Sequence, residues 1–402
     1  MTAPLQPAAR GVLASASRTS RVAMAARALS TSATAPASAS TSASSSSHSA
    51  APKPPHLLTL ADLSPAQIQS LLQSAIDFKA ASKAASLSTP ADLRKKLGVH
   101  DSALPQSLKG KSVAIMFSKR STRTRVASET SVASLGGHPL FLSPSDIQLG
   151  VNESLYDTAR VVSSMVDGIM ARVGGHDEVE LLAKNSTVPV VNALSARYHP
   201  TQILADLQTM LEVFPTGSSP SVSSNLASLA GLKVAWVGDS NNILNDMLVA
   251  YPRLGINLAV AAPKGKAYER DQVVWGTMQD GLAELKRNPT GVASGHVTWS
   301  NDPLEAVKDA DVIVTDTWIS MGDEAQKEQR LRDFAGFQVT EELAKKGGAK
   351  PNWKFMHCLP RKADEVDDEV FYSDRSVVFP EAENRKWTIM AIFDRMFGRW
   401  EL

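Results

Sequence analysis

The sequence has few of the features that mark disulfide-stabilised, metal-clustered or membrane-spanning proteins. Its 402 residues include one cysteine, Cys358, which excludes an intramolecular disulfide and a metal site built from several cysteines. No apolar run approaches the roughly 20 residues that span a bilayer, so no membrane partner is expected. The net charge of +1 gives no general attraction to nucleic acid, so any basic function must be local.

Acidic residues are also missing from the N-terminal stretch, where the first is Asp62. This stretch is rich in Ser, Ala and Thr and carries the arginines Arg10, Arg18, Arg21 and Arg27. An acid-free, arginine-bearing composition is typical of a mitochondrial transit peptide. We therefore predict that residues 1–50 are a transit peptide and disordered tail, and that the protein works in the mitochondrial matrix. The alternative is a generic disordered tail, which the serine-rich part at 38–49 resembles in either case.

Beyond this stretch, short apolar runs alternate with helical patterns. The length predicts two domains plus a tail, and 43% apolar residues can fill sizeable cores. The alternation predicts an α/β fold of two domains, each a parallel sheet covered by helices, joined by interdomain helices. Strands are predicted at 112–117, 138–142, 167–173, 188–193, 232–238, 256–261, 296–299, 311–315 and 353–357. Helices are predicted at 124–135, 154–165, 176–185, 198–214, 242–254, 268–288, 324–334 and 381–397.

The domain boundaries follow from the same pattern. A capping box with proline at the first helical position, Ser64 to Gln67, opens the folded part. The first domain is predicted at 55–197 and the second at 198–380, beginning with the helix that links them. Residues 381–402 form a C-terminal helix that could pack back on the first domain. The Ser/Pro/Gly-rich stretch at 215–224 is predicted to be a flexible loop.

The stretch after the first predicted strand has the composition of an anion pocket. Ser118 to Arg125 reads SKRSTRTR and precedes a helical pattern. Hydroxyls and backbone N–H groups at a helix N-terminus attract anions, and arginine matches phosphate oxygens bidentately. The expected guest is a small, doubly charged phosphate. The alternative is an ordinary solvated loop or a modification site.

Polar residues follow several other strands, at the edge where ligands bind open parallel sheets. They are Arg172, His199 with Gln202 one helical turn on, Gly238 to Asn242, Asp316 to Gly322, and His357 to Arg361. Each has an ordinary structural explanation when taken alone.

His199 could cap a helix, as could Asp239 and Asn242, and Cys358 could be an inert buried thiol. Trp318 and Met321 would usually lie in the core. Gly238 lacks the further glycines of a dinucleotide fingerprint, so that reading is weak.

Taken together, these segments resemble the ornithine carbamoyltransferases over nearly the whole chain after about residue 55. The motifs that carry the resemblance are FSKRSTRTR, LGGHP, DIQLGVNES, HPTQILAD, VGDSNN, DTWISMG, HCLPRK and FPEAENRKWTIMA. STRTR with HPTQ and HCLP marks carbamoyltransferases, and SMG with DSNN selects ornithine over aspartate as acceptor.

The resemblance implies a binding site for carbamoyl phosphate in the first half. It assigns the phosphate to the loop Ser121, Thr122, Arg123 and Thr124. It places Thr124, Arg172 and His199 around the carbamoyl oxygen. Gln202, the backbone carbonyls of Cys358 and Leu359, and Arg385 complete this subsite by analogy. Family members are homotrimers with sites at subunit interfaces, and Gln148 matches a position that reaches the neighbour's phosphate.

The second half is implied to bind L-ornithine through Asn242, Asp316, Ser320 and Met321. The δ-amino group must lose a proton before it attacks the carbamoyl carbon. We expect Asp316 and Cys358 beside that nitrogen, with the thiol assisting deprotonation rather than attacking. Neither a metal nor an organic cofactor is expected, because carbamoyl phosphate already carries an activated leaving group.

Other functions remain open from the sequence. The chain could carbamoylate another amine such as putrescine, although the SMG loop favours an α-amino acid. It could also be a catalytically silent regulatory paralogue, which the complete set of motif residues disfavours. A dinucleotide oxidoreductase is the weakest alternative.

Overall fold

The computed structural model describes residues 53–86, 104–143, 153–214, 224–319 and 326–402. They form two parallel sheets, one of four strands in the order β2-β1-β3-β4 and one of five in the order β7-β6-β5-β8-β9. The strands are β1 Ser112–Phe117, β2 His138–Leu142, β3 Gly168–Arg172, β4 Val190–Leu194, β5 Lys233–Val237, β6 Asn257–Ala261, β7 Val297–Ser300, β8 Val312–Thr315 and β9 Lys354–His357. The predicted α/β class is confirmed.

Helices cover both sheets, as crossover connections between parallel strands require. In chain order they are α1 Pro65–Ser86, α2 Thr122–Ser134, α3 Leu155–Ser163, α4 His176–Asn185, α5 Pro200–Val213, α6 Asn242–Ala250, α7 Gln272–Arg287, α8 Pro303–Val307, α9 Lys327–Asp333, α10 Glu341–Gly347, α11 Asp368–Phe371 and α12 Val378–Phe393. None of the described helices is long and apolar enough to cross a membrane.

The register of each sheet brings the ends of neighbouring strands together. In the first sheet Phe117, at the end of β1, pairs with Arg172, at the end of β3. In the second sheet Thr315 of β8 pairs with His357 of β9. Asp316 and Cys358 each follow the last residue of such a strand. The pairing therefore places the polar segments of each sheet side by side.

The C-terminal helix α12 packs against α1, α2 and α5, and it also contacts β9 of the second sheet. Its residues from Trp387 to Phe393 are nearly all buried, and a π-helical turn at Asp394–Arg399 follows it. One apolar cluster runs from the first sheet through α5 and α12 to the second sheet. The predicted limits of the two domains remain predictions.

The structure shortens several predicted helices, among them those at 154–165, 268–288 and 324–334, and leaves other predicted segments undescribed. The helix expected at 242–254 ends at Ala250, and Pro252–Leu254 form a 3-10 turn, because proline has no N–H to continue the helix. The predicted transit peptide and residues 215–223 of the predicted loop lie outside the described residues, as do Gln148, Ser320 and Met321.

Candidate active site

The site begins at the N-terminus of α2, directly after β1. Ser121 is the N-cap residue, and its hydroxyl accepts from the Thr124 N–H at 3.4 Å and donates to the Thr124 hydroxyl at 3.1 Å. The first N–H groups of a helix have no partner within the helix. Those of Thr122 and Arg123 therefore stand at the positive end of the dipole, as an anion site requires.

The arginines that flank this N-terminus point in different directions. The Arg123 guanidinium donates to the backbone carbonyl of Leu359, which follows β9 of the second sheet. The exposed Arg125 instead donates to Glu129 at 2.9 Å and lies over the Phe141 ring, 3.6 Å from its centroid. Arg123 is thus turned toward the second sheet, and Arg125 is held at the surface.

Arg172 adds a second positive charge at the same edge of the first sheet. Burial, and then the charge of Arg123, lower its pKa to about 10. Its Nε atom is buried and has no hydrogen-bond partner among the described residues. A guanidinium whose pKa is lowered by a neighbouring positive charge marks a site that an anion would stabilise.

His199 is the N-cap of α5 and is held from two sides. Its backbone N–H donates to Asp246 at 2.5 Å, and its Nδ1 lies 3.3 Å from the Thr201 hydroxyl. Burial, followed by the charges of Arg385 and Arg172, lowers the pKa of its ring well below the ordinary value. The imidazole is therefore neutral, and it can act as a hydrogen-bond donor or acceptor without carrying charge.

Arg385 of α12 joins the two helix N-termini. Its Nη1 donates to Gln202 Oε1 at 2.6 Å, and its Nη2 donates to the hydroxyls of Thr124 at 3.3 Å and Thr201 at 3.2 Å. The side chain is only 3% exposed, and burial is the main reason that its pKa falls to about 10. The contacts place a third guanidinium beside the N-terminus of α2.

Asp316 and Cys358 face this arginine cluster from the second sheet. Both groups have electrostatic interactions with Arg123, and the Cys358 thiol also interacts with Arg385. Burial raises the pKa of Asp316, and burial together with the Asp316 charge raises the pKa of the Cys358 thiol well above its ordinary value. The thiol is therefore protonated near neutral pH.

In the VGDSNN segment the helix cap is Asn241, and neither Asp239 nor Asn242 has that role. Asn241 is the cap of α6: its side chain accepts from the N–H groups of Ile243 and Leu244 and donates to Asp316 Oδ2 at 3.1 Å. Asn242 instead donates to the Ser195 carbonyl at 2.7 Å. The Asp239 carboxylate pairs with Arg330. The amide of Asn241 thus fixes the carboxylate of Asp316.

The loop after β9 is shaped by a buried pair of side chains. His357 Nδ1 accepts from the Leu359 N–H at 2.8 Å, and its Nε2 lies 3.2 Å from Glu365. Leu359 has φ +61, a left-handed conformation that is unusual for a non-glycine residue. The turn directs the Leu359 carbonyl to Arg123, so this loop reaches the first sheet.

Most of the predicted site residues are therefore joined by contacts or electrostatic interactions between the two sheets: Arg123, Thr124, Arg172, His199, Gln202, Arg385, Asp316, Cys358 and Leu359. Asn242 instead bonds the Ser195 carbonyl. The site prediction from sequence did not include Asn241, Thr201, Asp206 and Glu381. Each of them forms a hydrogen bond with a predicted site residue. All lie within the quoted motifs, and Thr201, Asp206 and Glu381 are buried polar side chains. Within the described ranges, no group of three or more His, Cys, Asp or Glu side chains is arranged to hold a metal ion.

Comparison with known proteins matches both halves of the chain. Residues 55–212 match the model of the aspartate/ornithine carbamoyltransferase carbamoyl-P binding domain, and residues 230–396 match that of the Asp/Orn binding domain. A mitochondrial ornithine carbamoyltransferase of Emericella nidulans is 53% identical over 342 residues, which are 85% of this chain and 88% of that protein. The mitochondrial enzyme of Schizosaccharomyces pombe is 48% identical over 85% of this chain and 94% of its own length.

Solved structures agree with the sequence relatives. The mitochondrial ornithine carbamoyltransferase from Coccidioides immitis superposes with a TM-score of 0.73 at 48% identity, covering 86% of this chain and 98% of that one. The enzyme from Pyrococcus furiosus gives 0.71 at 40% identity, covering 86% and 97%. With both domain models matched in order, the chain belongs to the aspartate/ornithine carbamoyltransferase family.

Proposed function

We propose that this protein transfers the carbamoyl group of carbamoyl phosphate to the δ-amino group of L-ornithine, giving L-citrulline and phosphate. This is a step of arginine biosynthesis and of the urea cycle. The observation that carries the proposal is the convergence of Arg123, Arg172 and Arg385 at the N-terminus of α2, opposite Asp316 and Cys358. One buried and two half-buried arginines face a buried carboxylate and a thiol, which suits an anionic acyl donor and an amine acceptor.

The phosphate group is assigned to the N-terminus of α2. Backbone N–H groups and hydroxyls from Ser121 to Thr124 would donate hydrogen bonds to its oxygens, and Arg123 and Arg172 would neutralise its charge. Gln148 of a neighbouring subunit is proposed to complete this subsite. The unpartnered Nε of Arg172 is a donor available for such a ligand.

The carbamoyl oxygen is assigned to Thr124, Arg172 and His199. Negative charge develops on this oxygen as the amine adds to the carbamoyl carbon, and fixed donors that already point at it lower the barrier. Gln202, Arg385 and the backbone carbonyls of Cys358 and Leu359 would fix the rest of the group. A neutral His199 can donate a hydrogen bond without adding a fourth positive charge to the arginine cluster.

The acceptor is assigned to Asn242, Asp316, Ser320 and Met321. The δ-ammonium group must lose a proton, and Asp316 is the group suited to accept it because the Cys358 thiol already holds its own. The thiol would contact the nitrogen without forming a covalent intermediate. The amine lone pair then forms the C–N bond, the nitrogen passes its second proton to the leaving phosphate, and the C–O bond breaks with its electron pair leaving on phosphate.

We further propose a homotrimer in the mitochondrial matrix, imported through residues 1–50. Exposed apolar side chains on the first half of the chain support the trimer. They lie on α2, β2 and α3 and directly after α3: Val126, Leu140, Tyr156, Val161 and Met165. Light scattering on the purified protein should give about three times the mass of one chain, and a monomeric mass at full activity would contradict the shared site. The mitochondrial names of the relatives support the location.

A substrate panel tests the function directly. The purified protein is incubated with carbamoyl phosphate and L-ornithine, putrescine, L-aspartate or L-lysine, and released phosphate and carbamoylated product are measured. L-ornithine should stimulate phosphate release far above the others and yield citrulline. Preferred turnover of putrescine would support the other-amine alternative, and no stimulation by any amine would support a silent paralogue.

A further inference from the structure

Two buried acids adjoin the site but take no part in the chemistry assigned above. Asp206 lies on α5 and Glu381 in the first turn of α12, and each side chain is 1% exposed. The Gln202 amide nitrogen Nε2 donates to Asp206 Oδ1 at 2.9 Å and to Glu381 Oε1 at 2.7 Å. Glu381 Oε2 also accepts from the His357 N–H at 3.0 Å. One glutamine side chain thus bridges both acids.

Two buried carboxyl groups that share one amide nitrogen favour a pair that holds a proton. Gln202 Nε2 bonds both acids, and each acid affects the pKa of the other. Carboxylates offer only acceptors, so two that adjoin in the interior are stabilised by one proton between them. Asp206 Oδ2 is buried and meets no N–H or hydroxyl donor in the part of the chain that the structure describes. Burial raises the pKa of both groups, so the pair shares one proton.

The shared proton affects the net charge of the site. The charged groups that face the pair are Arg385 and Asp316, with Arg123 and Arg172 beyond Arg385 and the thiol of Cys358 and hydroxyl of Tyr251 nearby. If both acids were ionised, their charges with that of Asp316 would offset the three arginines before any ligand bound. A dianionic phosphate would then enter a site with no excess positive charge.

The acid pair fixes the orientation of an amide. With its NH2 group held by two carboxyl groups, Gln202 must turn its Oε1 toward Arg385, which donates to it at 2.6 Å. Arg385 then reaches Thr124 at the N-terminus of α2 through its other nitrogen. The chain of contacts runs from the acid pair to the proposed carbamoyl phosphate subsite.

We propose that Asp206 and Glu381 are positioning residues that share one proton and thereby hold Gln202 and Arg385 in place for carbamoyl phosphate. This inference rests on the proposed function. It implies that raising the pH removes the shared proton from the pair, adds a negative charge beside the subsite and raises the KM for carbamoyl phosphate. The helix dipole at the N-terminus of α12 stabilises the one negative charge that the pair retains.

The test compares Glu381→Gln with Glu381→Ala, measuring kcat and the KM for carbamoyl phosphate between pH 6.5 and 9. The glutamine amide can donate to Asp206 as the protonated acid does, and it cannot ionise. Glu381→Ala should raise this KM about tenfold or more, the order expected when a buried hydrogen-bonded group loses its partner. Glu381→Gln should recover most of the loss, and its KM should stay flat where that of the parent rises at alkaline pH.

The exposed Glu383 of the same helix provides the matched control, because its side chain bonds Lys83 at the surface. Glu383→Gln should keep the pH dependence of the parent. Equal losses in Glu381→Gln and Glu381→Ala, or a pH profile of Glu381→Gln that superimposes on the parent, would overturn the proposal. If Glu381→Ala does not fold, as judged by circular dichroism and thermal melting, the pH profile of Glu381→Gln still decides. A parent protein that forms no citrulline would instead refute the proposed function.

Discussion

Replacing Arg123 with alanine should weaken the use of carbamoyl phosphate more than any change on the exposed face of α2. Its guanidinium is directed at the Leu359 carbonyl, beside Arg172. A phosphate bound at the N-terminus of α2 would lie between these groups and accept hydrogen bonds from the Arg123 fork.

The expected size follows from opposing contributions. A hydrogen bond to a charged group contributes about 1.5–3 kcal/mol, and a fork can make two of them. An opposing contribution comes from Arg172, whose pKa is lowered to about 10. This shift corresponds to about 3 kcal/mol of unfavourable free energy for the charged guanidinium. Burial is its larger cause, and the charge of Arg123 is the smaller one. Removing Arg123 relieves the smaller part of that penalty. The net loss should be about 2–4 kcal/mol, or roughly 30- to 1000-fold in kcat/KM for carbamoyl phosphate.

The assay is citrulline formation at varied carbamoyl phosphate, supported by inhibition with inorganic phosphate as a probe of the same subsite. Arg125→Ala is the matched control: Arg125 lies two residues further along α2 and bonds Glu129 at the surface. Its kcat/KM should stay within about threefold of the parent, since exposed ion pairs contribute little. If Arg123→Ala keeps the parent's affinity for carbamoyl phosphate and phosphate, the anion subsite is misplaced.

Substitutions at three further positions test the acceptor side of the site and the buried histidine. Cys358→Ser should lower kcat and alter its pH dependence, measured by citrulline formation, and an unchanged profile would remove the thiol from the chemistry. Asn241→Ala should lower the free energy of unfolding in urea by about 1 kcal/mol, because α6 loses its cap. Asn241→Asp should keep the cap but raise the KM for ornithine about tenfold, because it places a second carboxylate against Asp316. The pKa of His199 is lowered in the folded protein, so below about pH 6.5 the unfolded chain binds more protons at this residue than the folded one. The free energy of unfolding should therefore fall by up to about 1.4 kcal/mol per pH unit on acidification. His199→Asn should lack this part of the slope in urea denaturation at pH 7, 6 and 5, and an identical slope would contradict the assignment of a neutral ring.

The strands of both sheets could be predicted because each is a short apolar run closed by polar residues. The runs Ser112–Phe117 and Val312–Thr315 are buried throughout or nearly so, and they lie where the sequence predicted them. The end of the helix after Asn242 was predicted less well, because a proline two residues beyond Ala250 overrode a continuing apolar pattern. Local patterns identify elements better than they identify their ends.

The site was predictable only as far as the motifs name individual residues. The sequence pointed to Arg385 and Gln202, but nothing local showed that Asp206 and Glu381, far apart in the chain, would meet behind them. The role of Asn241 was likewise hidden, because either neighbouring asparagine could have capped α6 and only the fold decides which one faces Asp316. Partners contributed by tertiary packing have no signature in a single sequence.

The separation of α12 from its packing partners along the chain has a consequence for assembly. This helix follows all the described strands of both sheets, yet it supplies Arg385 to the site and packs against α1, which precedes them. A polypeptide truncated before α12 would have neither a finished core nor its third guanidinium. Such a product should be inert toward both substrates and open to proteolytic clearance.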